Sequence, residues 1–236
     1  MSKILCGDAL EILKTLPPCS VNMCVTSPPY YGLRDYGIDR QIGTEDSPAL
    51  YIEKLVDVFS EVYRILRKDG TLWINIADSY AGSGKGGWNT PLKSGISQQL
   101  YNPKSFNMPK KWKGIKAKDM IGIPWSLAFS LRDYGWYLRS DIIWQKSNCM
   151  PESVKDRPSK SYEHIFLLAK SKKYYYDYQS IQVPAAQSSI ERAKRAVSNI
   201  GKYANGIECQ NMQAIFLPRD HSKELTMRNK RDVWTV

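Results

Sequence analysis

Val21-Asn22-Met23-Cys24-Val25-Thr26, running straight into Ser27-Pro28-Pro29-Tyr30, is the stretch of this sequence that decides its fold. The first six residues are mostly apolar and read as a buried strand. The next four cannot prolong it. Two consecutive prolines remove backbone donors and hold the residues before them extended. A strand that ends at a stiff polar corner is expected at the carboxyl ends of the strands of an open α/β sheet, where such sheets bind ligands.

The flanking patterns agree. Residues 3–6 read as a short buried strand, Gly7-Asp8 ends it, and 9–16 is an amphipathic helix stopped by Pro17-Pro18. Residues 49–67 carry Leu55, Val58, Phe59, Val62, Ile65 and Leu66 at helical spacing, with Lys68-Asp69-Gly70 as the stop and 71–77 as a third strand. Strands alternating with crossover helices predict a parallel sheet with helices on both faces. Residues 81–118 interrupt this rhythm with Gly, Ser, Asn and Pro, and hold eight lysines with no acid before Asp119. Order returns with a helix near 120–134, a strand at 137–145, and a hairpin pairing 162–169 with 173–177 through Lys172-Lys173. Residues 1–180 thus form the main domain, and 181–236 a small polar, basic lobe.

Chemistry concentrates at the strand-end corner. The Pro28 carbonyl and the Ser27 hydroxyl are acceptors suited to an amino group, and the Tyr30 ring after them can stack on a planar base. A double proline after a strand also makes plain turns, so the corner alone leaves both readings open.

The longer run Thr26-Ser27-Pro28-Pro29-Tyr30-Tyr31-Gly32-Leu33-Arg34-Asp35-Tyr36-Gly37 resembles the beta-group DNA amino-methyltransferases. Later stretches resemble the same family in its expected order. They are Gly7-Asp8, Arg64 to Gly70, Ala77-Asp78-Ser79, Trp136 to Trp144, Met150 to Pro158, and Glu163-His164-Ile165-Phe166-Leu167-Leu168. The resemblance covers about residues 3–180. It implies an α/β fold, a doubly wound Rossmann-like methyltransferase sheet, and a target-recognition lobe after it. It implies S-adenosyl-L-methionine as cofactor, with Asp8 beside its adenine. It also implies double-stranded DNA as partner, from which the target base is flipped out. Ser27, Pro28, Pro29 and Tyr30 would be the catalytic set, holding the exocyclic amine while the sulfonium methyl is transferred. Serine at position 27 favours cytosine N4 over adenine N6, and adenine stays open. The family's Phe-x-Gly-x-Gly loop, which binds the methionine end of the cofactor, occurs nowhere in the 236 residues. That predicts an incomplete sheet: a fragment, a shortened copy, or a chain whose cofactor site a second chain or homodimer completes. The rival reading is a DNA-binding or partner subunit with little catalysis.

Charge points to the same partner on independent grounds. The net charge is +11, yet residues 1–80 hold 8 basic and 11 acidic residues, so the excess lies entirely beyond them. A near-neutral core with a basic remainder suits a polyanion. Arg34, Lys85, Lys110, Lys111, Lys113, Arg192, Arg195 and Arg228 are the DNA-contact candidates, against the plain alternative of solvated loops.

Other features carry less. Five scattered cysteines and two histidines fit neither a disulfide framework nor a metal site. With no secretory segment or membrane span, the expected location is the cytoplasm of a bacterial or phage-infected cell. Pro17-Pro18-Cys19 has the shape of a cysteine-nucleophile motif but lacks partner motifs, and reads as a turn. Gly82 to Gly87 fails the phosphate-loop spacing. Tyr174-Tyr175-Tyr176 reads as an aromatic strand. Asp78 ends the third strand and either faces the site or serves as an ordinary strand-end cap.

Overall fold

The computed structural model describes residues 2–34, 36–81, 115–149, 151–191 and 227–236. It divides into two compact units, Met1–Tyr175 with Asp232–Val236, and Tyr176–Arg231. The expected lobe at 181–236 therefore begins earlier and ends earlier, because the last residues return to the sheet of the first unit.

In the first unit, helix α1 (Ala9–Thr15) starts where the Asp8 carboxylate accepts the Glu11 N–H at 3.1 Å. Strand β1 (Val21–Thr26) follows, then helix α2 (Pro48–Ile65), capped by Ser47 with Pro48 in its first turn. The Arg64 guanidinium near the end of α2 donates to the carbonyls of Leu13 and Leu16 at 2.9 and 3.0 Å, which closes the end of α1. Cys19 lies exposed in the intervening turn at φ +55°, its N–H on the Arg64 carbonyl, as a turn residue should.

Strand β2 (Leu66–Ile76) begins sooner than its pattern suggests. Leu66 already pairs with Val21, residues 67–70 bulge outward, and the ladder resumes at Thr71 opposite Met23. A side chain at Gly70 would meet the Asn22 and Arg67 carbonyls at 3.0 Å, so the bulge needs glycine there. Helix α3 (Ile123–Tyr134), strand β3 (Tyr137–Gln145), strand β4 (Tyr162–Ala169) and, after the second unit, strand β7 (Val233–Thr235) complete the sheet. Its order is β1-β2-β4-β3-β7. The α/β class holds, but the sheet is mixed. Strand β4 runs antiparallel to both β2 and β3, while β1–β2 and β3–β7 are parallel.

Tyr51, Leu55 and Phe59 of α2 and Ile123, Leu127 and Leu131 of α3 close over Leu72, Ile74, Ile76, Phe166 and Leu168. These strand residues alternate, so they share one face. Each such side chain removed from water contributes roughly 1.5–3 kcal/mol, far more than the helices' own propensities.

Two expected strands do not form. Residues 3–6 have no ladder partner, and Ile4 is 94% exposed; an apolar run becomes a strand only beside another. Residues 173–177 are irregular, because β2 and β3 already occupy both edges of β4. Tyr175 is 72% exposed with its N–H on the Asp69 carbonyl. In the second unit, β5 (Val183–Pro184) and β6 (Met227–Arg228) form a small antiparallel pair. Among the described residues no helix is long and apolar enough to cross a membrane, and no cluster of three or more His, Cys, Asp or Glu could hold a metal ion.

Candidate active site

Beyond Thr26 the backbone leaves the sheet at Ser27, which is exposed, and passes through the buried Pro28 to the half-buried Pro29 and Tyr30. The corner is braced from behind. The hydroxyl of Tyr51, fully buried on α2, donates to the Pro29 carbonyl at 2.8 Å, and burial raises that phenol's pKa. The Tyr31 ring lies 5.2 Å from that of Tyr51, and its hydroxyl donates to the Glu45 carbonyl at 3.1 Å. The Glu45 carboxylate is itself buried, accepting the Gly43 N–H at 2.9 Å and pairing with Lys54 of α2 at 3.0 Å. Gly43 sits at φ +101°, where a Cβ would stand 3.0 Å from the Tyr30 carbonyl. Among the described residues no hydrogen-bond donor meets the Pro28 carbonyl, so the corner fixes one proline carbonyl and leaves its neighbour available.

On the other side, Tyr30 reaches across the strand ends. Its hydroxyl lies 2.8 Å from Asn75 Oδ1 near the end of β2 and 2.9 Å from Glu163 Oε2 near the start of β4. Burial, reinforced by Glu163 and opposed by Ser27, pushes the Tyr30 phenol up to about 12. Glu163 is shifted the other way. Burial alone would raise it, but the paired Lys146 ammonium, the Tyr30 hydroxyl and Asn75 hold its carboxyl below the usual range. Antiparallel β4 makes this possible, since only a reversed strand brings its beginning to the carboxyl ends of β1 and β2.

Asp78, just past β2, is engaged elsewhere. Its carboxylate accepts the N–H groups of Ser79, Gly122 and Ile123 at 2.9–3.0 Å, so it caps α3 from outside the helix. Its carbonyl accepts the Lys160 ammonium at 3.0 Å, whose pKa burial lowers.

The remaining candidates scatter. Asp8 is exposed and uses one carboxylate oxygen to cap α1. Arg34 is exposed on the loop after Tyr30, its carbonyl held by Gln41 at 2.7 Å. Arg228 lies on β6 of the second unit, its Nε 3.4 Å from the Pro184 carbonyl. Lys85, Lys110, Lys111, Lys113, Arg192 and Arg195 fall outside the described residues, as does the Gly82 to Gly87 run. Sequence reasoning missed Asn75, Lys146 and Glu163 as site residues. The available signal was a polar residue inside each of two apolar strands, Asn75 between Ile74 and Ile76, and Glu163 ahead of Ile165-Phe166-Leu167-Leu168.

Residues 21–235 match a family model described as DNA methylase. The chain is 50% identical over 194 residues to the type II methyltransferase M.Cfr9I of Citrobacter freundii, covering 82% of this chain and 62% of that protein. It is 50% identical over 199 residues to M.SmaI of Serratia marcescens, covering 84% of this chain and 66% of the relative. The chain thus spans roughly three fifths to two thirds of the length of these relatives. Among solved structures, PvuII DNA methyltransferase (cytosine-N4-specific) superposes with a TM-score of 0.51 at 18% identity, over 74% of this chain and 51% of that one. That likeness concerns the fold.

Proposed function

Because this chain belongs to the DNA methylase family, we propose that its strand-end corner carries out methylation of an exocyclic amino group of a DNA base. The observation that supports this reading most is the asymmetry of the corner. The Pro29 carbonyl is sealed by Tyr51, while the Pro28 carbonyl and the exposed Ser27 hydroxyl stand together with no other described donor on the carbonyl. The lone pair of an aromatic amine is delocalised into its ring. Two acceptors that take both of its N–H bonds favour a pyramidal, nucleophilic nitrogen. The Tyr30 ring, fixed in orientation by its hydroxyl, would stack on a base drawn out of the duplex.

S-adenosyl-L-methionine, when bound, supplies a sulfonium-borne methyl group. The chain's own part would be to hold the amine, with the Ser27 hydroxyl and the Pro28 carbonyl accepting its N–H bonds while the nitrogen lone pair is turned toward that methyl group. Of the cofactor's surroundings the described residues fit one edge. Asp8 is exposed, and its second carboxylate oxygen meets no described donor, which suits an amino or hydroxyl group of the nucleoside.

Serine at position 27 favours cytosine N4 as the target, with adenine N6 as the alternative. Tritiated methyl incorporation into duplex DNA by the full chain tests the reading, with base analysis of the product to separate the two amines. Absence of incorporation would support the rival, a DNA-binding subunit. The basic residues supply a separate check on the partner. Lys110→Gln, Lys111→Gln and Lys113→Gln together should flatten the log–log salt dependence of DNA affinity by about two to three units, roughly 0.9 per phosphate lost. An unchanged slope by fluorescence anisotropy would mean that these lysines are merely solvated.

A further inference from the structure

Tyr30 lies beyond Thr26, the last residue of β1 in register with β2, so the ladder does not fix it. Two side chains do. Its hydroxyl is 2.8 Å from Asn75 Oδ1 and 2.9 Å from Glu163 Oε2. A phenol has one proton, and whichever acceptor takes it, the oxygen is tied to β2 and β4. Glu163 is the stronger anchor, because its pairing with the Lys146 ammonium keeps it ionised.

Neither side chain is needed to fasten the strands. Asn75 already faces Ile165 in the β2–β4 ladder, and His164, next to Glu163, faces Ile76. An amide and a carboxylate in apolar strands carry a desolvation cost, and the Glu163 side chain is only 16% exposed. What the two polar groups add to the ladder is the place of one ring. Holding the oxygen fixes χ1 and the long axis of the ring. Since a phenol keeps its proton in the ring plane, the acceptors select that plane as well.

We infer that Asn75 and Glu163 are positioning residues, which anchor the Tyr30 hydroxyl so that the ring stands preset as one wall of the base site before DNA arrives. This rests on the proposed reading of Tyr30 as the ring on which the target base stacks. An unanchored ring would lose rotamer freedom as the base entered, and that loss would weaken the stacked state. A ring already ordered from two strands avoids it.

The anchor is observable without catalysis. In nuclear magnetic resonance of the full chain, couplings to the β-protons at position 30 should report a single χ1 rotamer, unchanged when duplex DNA is added. In Tyr30→Phe, which removes both anchors at once, they should report averaged rotamers. A single rotamer in Tyr30→Phe would overturn the inference. Kinetics test its consequence. Tyr30→Phe should slow single-turnover methyl transfer by roughly threefold to tenfold, the usual net worth of one hydrogen bond. Its affinity for duplex DNA should stay within about twofold, because phosphate contacts dominate that affinity. Asn75→Leu and Glu163→Leu should slow transfer by no more than Tyr30→Phe does, and neither should slow Tyr30→Phe further. Glu163→Gln, which keeps an acceptor oxygen, should recover part of the rate lost in Glu163→Leu. Should Glu163→Leu fail to fold, Asn75→Leu carries the same cycle, because it removes no charge. If either of them slowed Tyr30→Phe as much as the wild-type protein, the residue would act by a route other than this hydroxyl, and the inference would fall. Wild-type transfer by Tyr30→Phe beside a dead Tyr30→Ala would refute the anchor and leave the stacking reading intact. A fully active Tyr30→Ala would remove the stacking reading and the anchor with it.

Discussion

Glu163 and His164 are adjacent in β4, each carries or meets a carboxylate, and they serve opposite faces of the sheet. Glu163 turns to Tyr30, Asn75 and Lys146 at the strand-end corner. His164 turns to the helix-covered face, where its Nδ1 lies 2.9 Å from Asp141 on β3. There it stacks on Phe166 at 5.7 Å and meets the edge of Trp125 from α3 at 5.4 Å. One network is enclosed by rings and fastens two strands. The other is half open and ends at Tyr30, three residues past the exposed Ser27. A one-residue step along a strand divides an enclosed network from an open one built of the same kinds of group.

This contrast is open to experiment on both sides. The largest effect should come from Ser27→Ala, which removes an acceptor at the corner and fills no core. Methyl transfer should fall on the order of a hundredfold or more, as when one group holding the reacting atoms is deleted, with the melting temperature unchanged. Retained transfer would break the functional half of the comparison. Next comes His164→Ala. It empties a buried site and leaves Asp141 without its ring partner, which should cost about 3 kcal/mol in urea unfolding. Transfer per folded molecule should persist. A stable His164→Ala protein that has lost activity would show that the two faces are not separate.

How much of this was legible beforehand follows from the range of the interactions. Strand β1, the helix over Pro48–Ile65 and the strand at Tyr137–Gln145 announce themselves by local period; both strands keep their expected bounds, and the helix expected at 49–67 shifts by one or two residues at each end. The reversal of β4 is not local. It depends on which neighbours claim its edges, and the same fact dissolves the expected hairpin with 173–177. Tyr30 and Glu163 are separated by 133 residues, so no spacing rule could join them. The strand at 3–6 fails for the converse reason, since its composition suffices but its partner is missing among the described residues. Asp78 was open between site and cap, and three backbone N–H groups resolve it as a cap.

That cap yields the third effect in size. Asp78→Ala should lower stability by about 1 kcal/mol, the usual worth of a helix N-cap, because Gly122 supplies no side chain of its own to replace it. Amide hydrogen exchange should locate the loss in the first turn of α3. Uniform loss across the sheet would instead mean that Asp78 supports the strand ends directly.

The smallest effect should come from Lys146→Met, and it probes the open network from the end away from the prolines. Glu163 is pulled in two directions: burial raises its carboxyl, while Lys146, Tyr30 and Asn75 lower it, and the lowering prevails. Lys160 also lies near enough to be felt, though its ammonium is bonded to the Asp78 carbonyl. A carboxylate with a depressed pKa contributes fully above the ordinary carboxylate range and loses that contribution as pH falls through its lowered value. Removing the Lys146 ammonium leaves burial less opposed, so Glu163 should take up its proton at a higher pH than before. A protonated Glu163 can donate to Tyr30, so it no longer holds that hydroxyl as a charged acceptor. The acid limb of the single-turnover pH profile, scaled to each protein's own plateau, should therefore move upward in Lys146→Met. It should not move in Lys155→Met, whose exposed side chain belongs to no part of this network. Coincident acid limbs in the wild-type and Lys146→Met proteins would show that the charge of Glu163 does not reach the strand-end corner, and that the two faces of β4 differ in packing but not in chemistry.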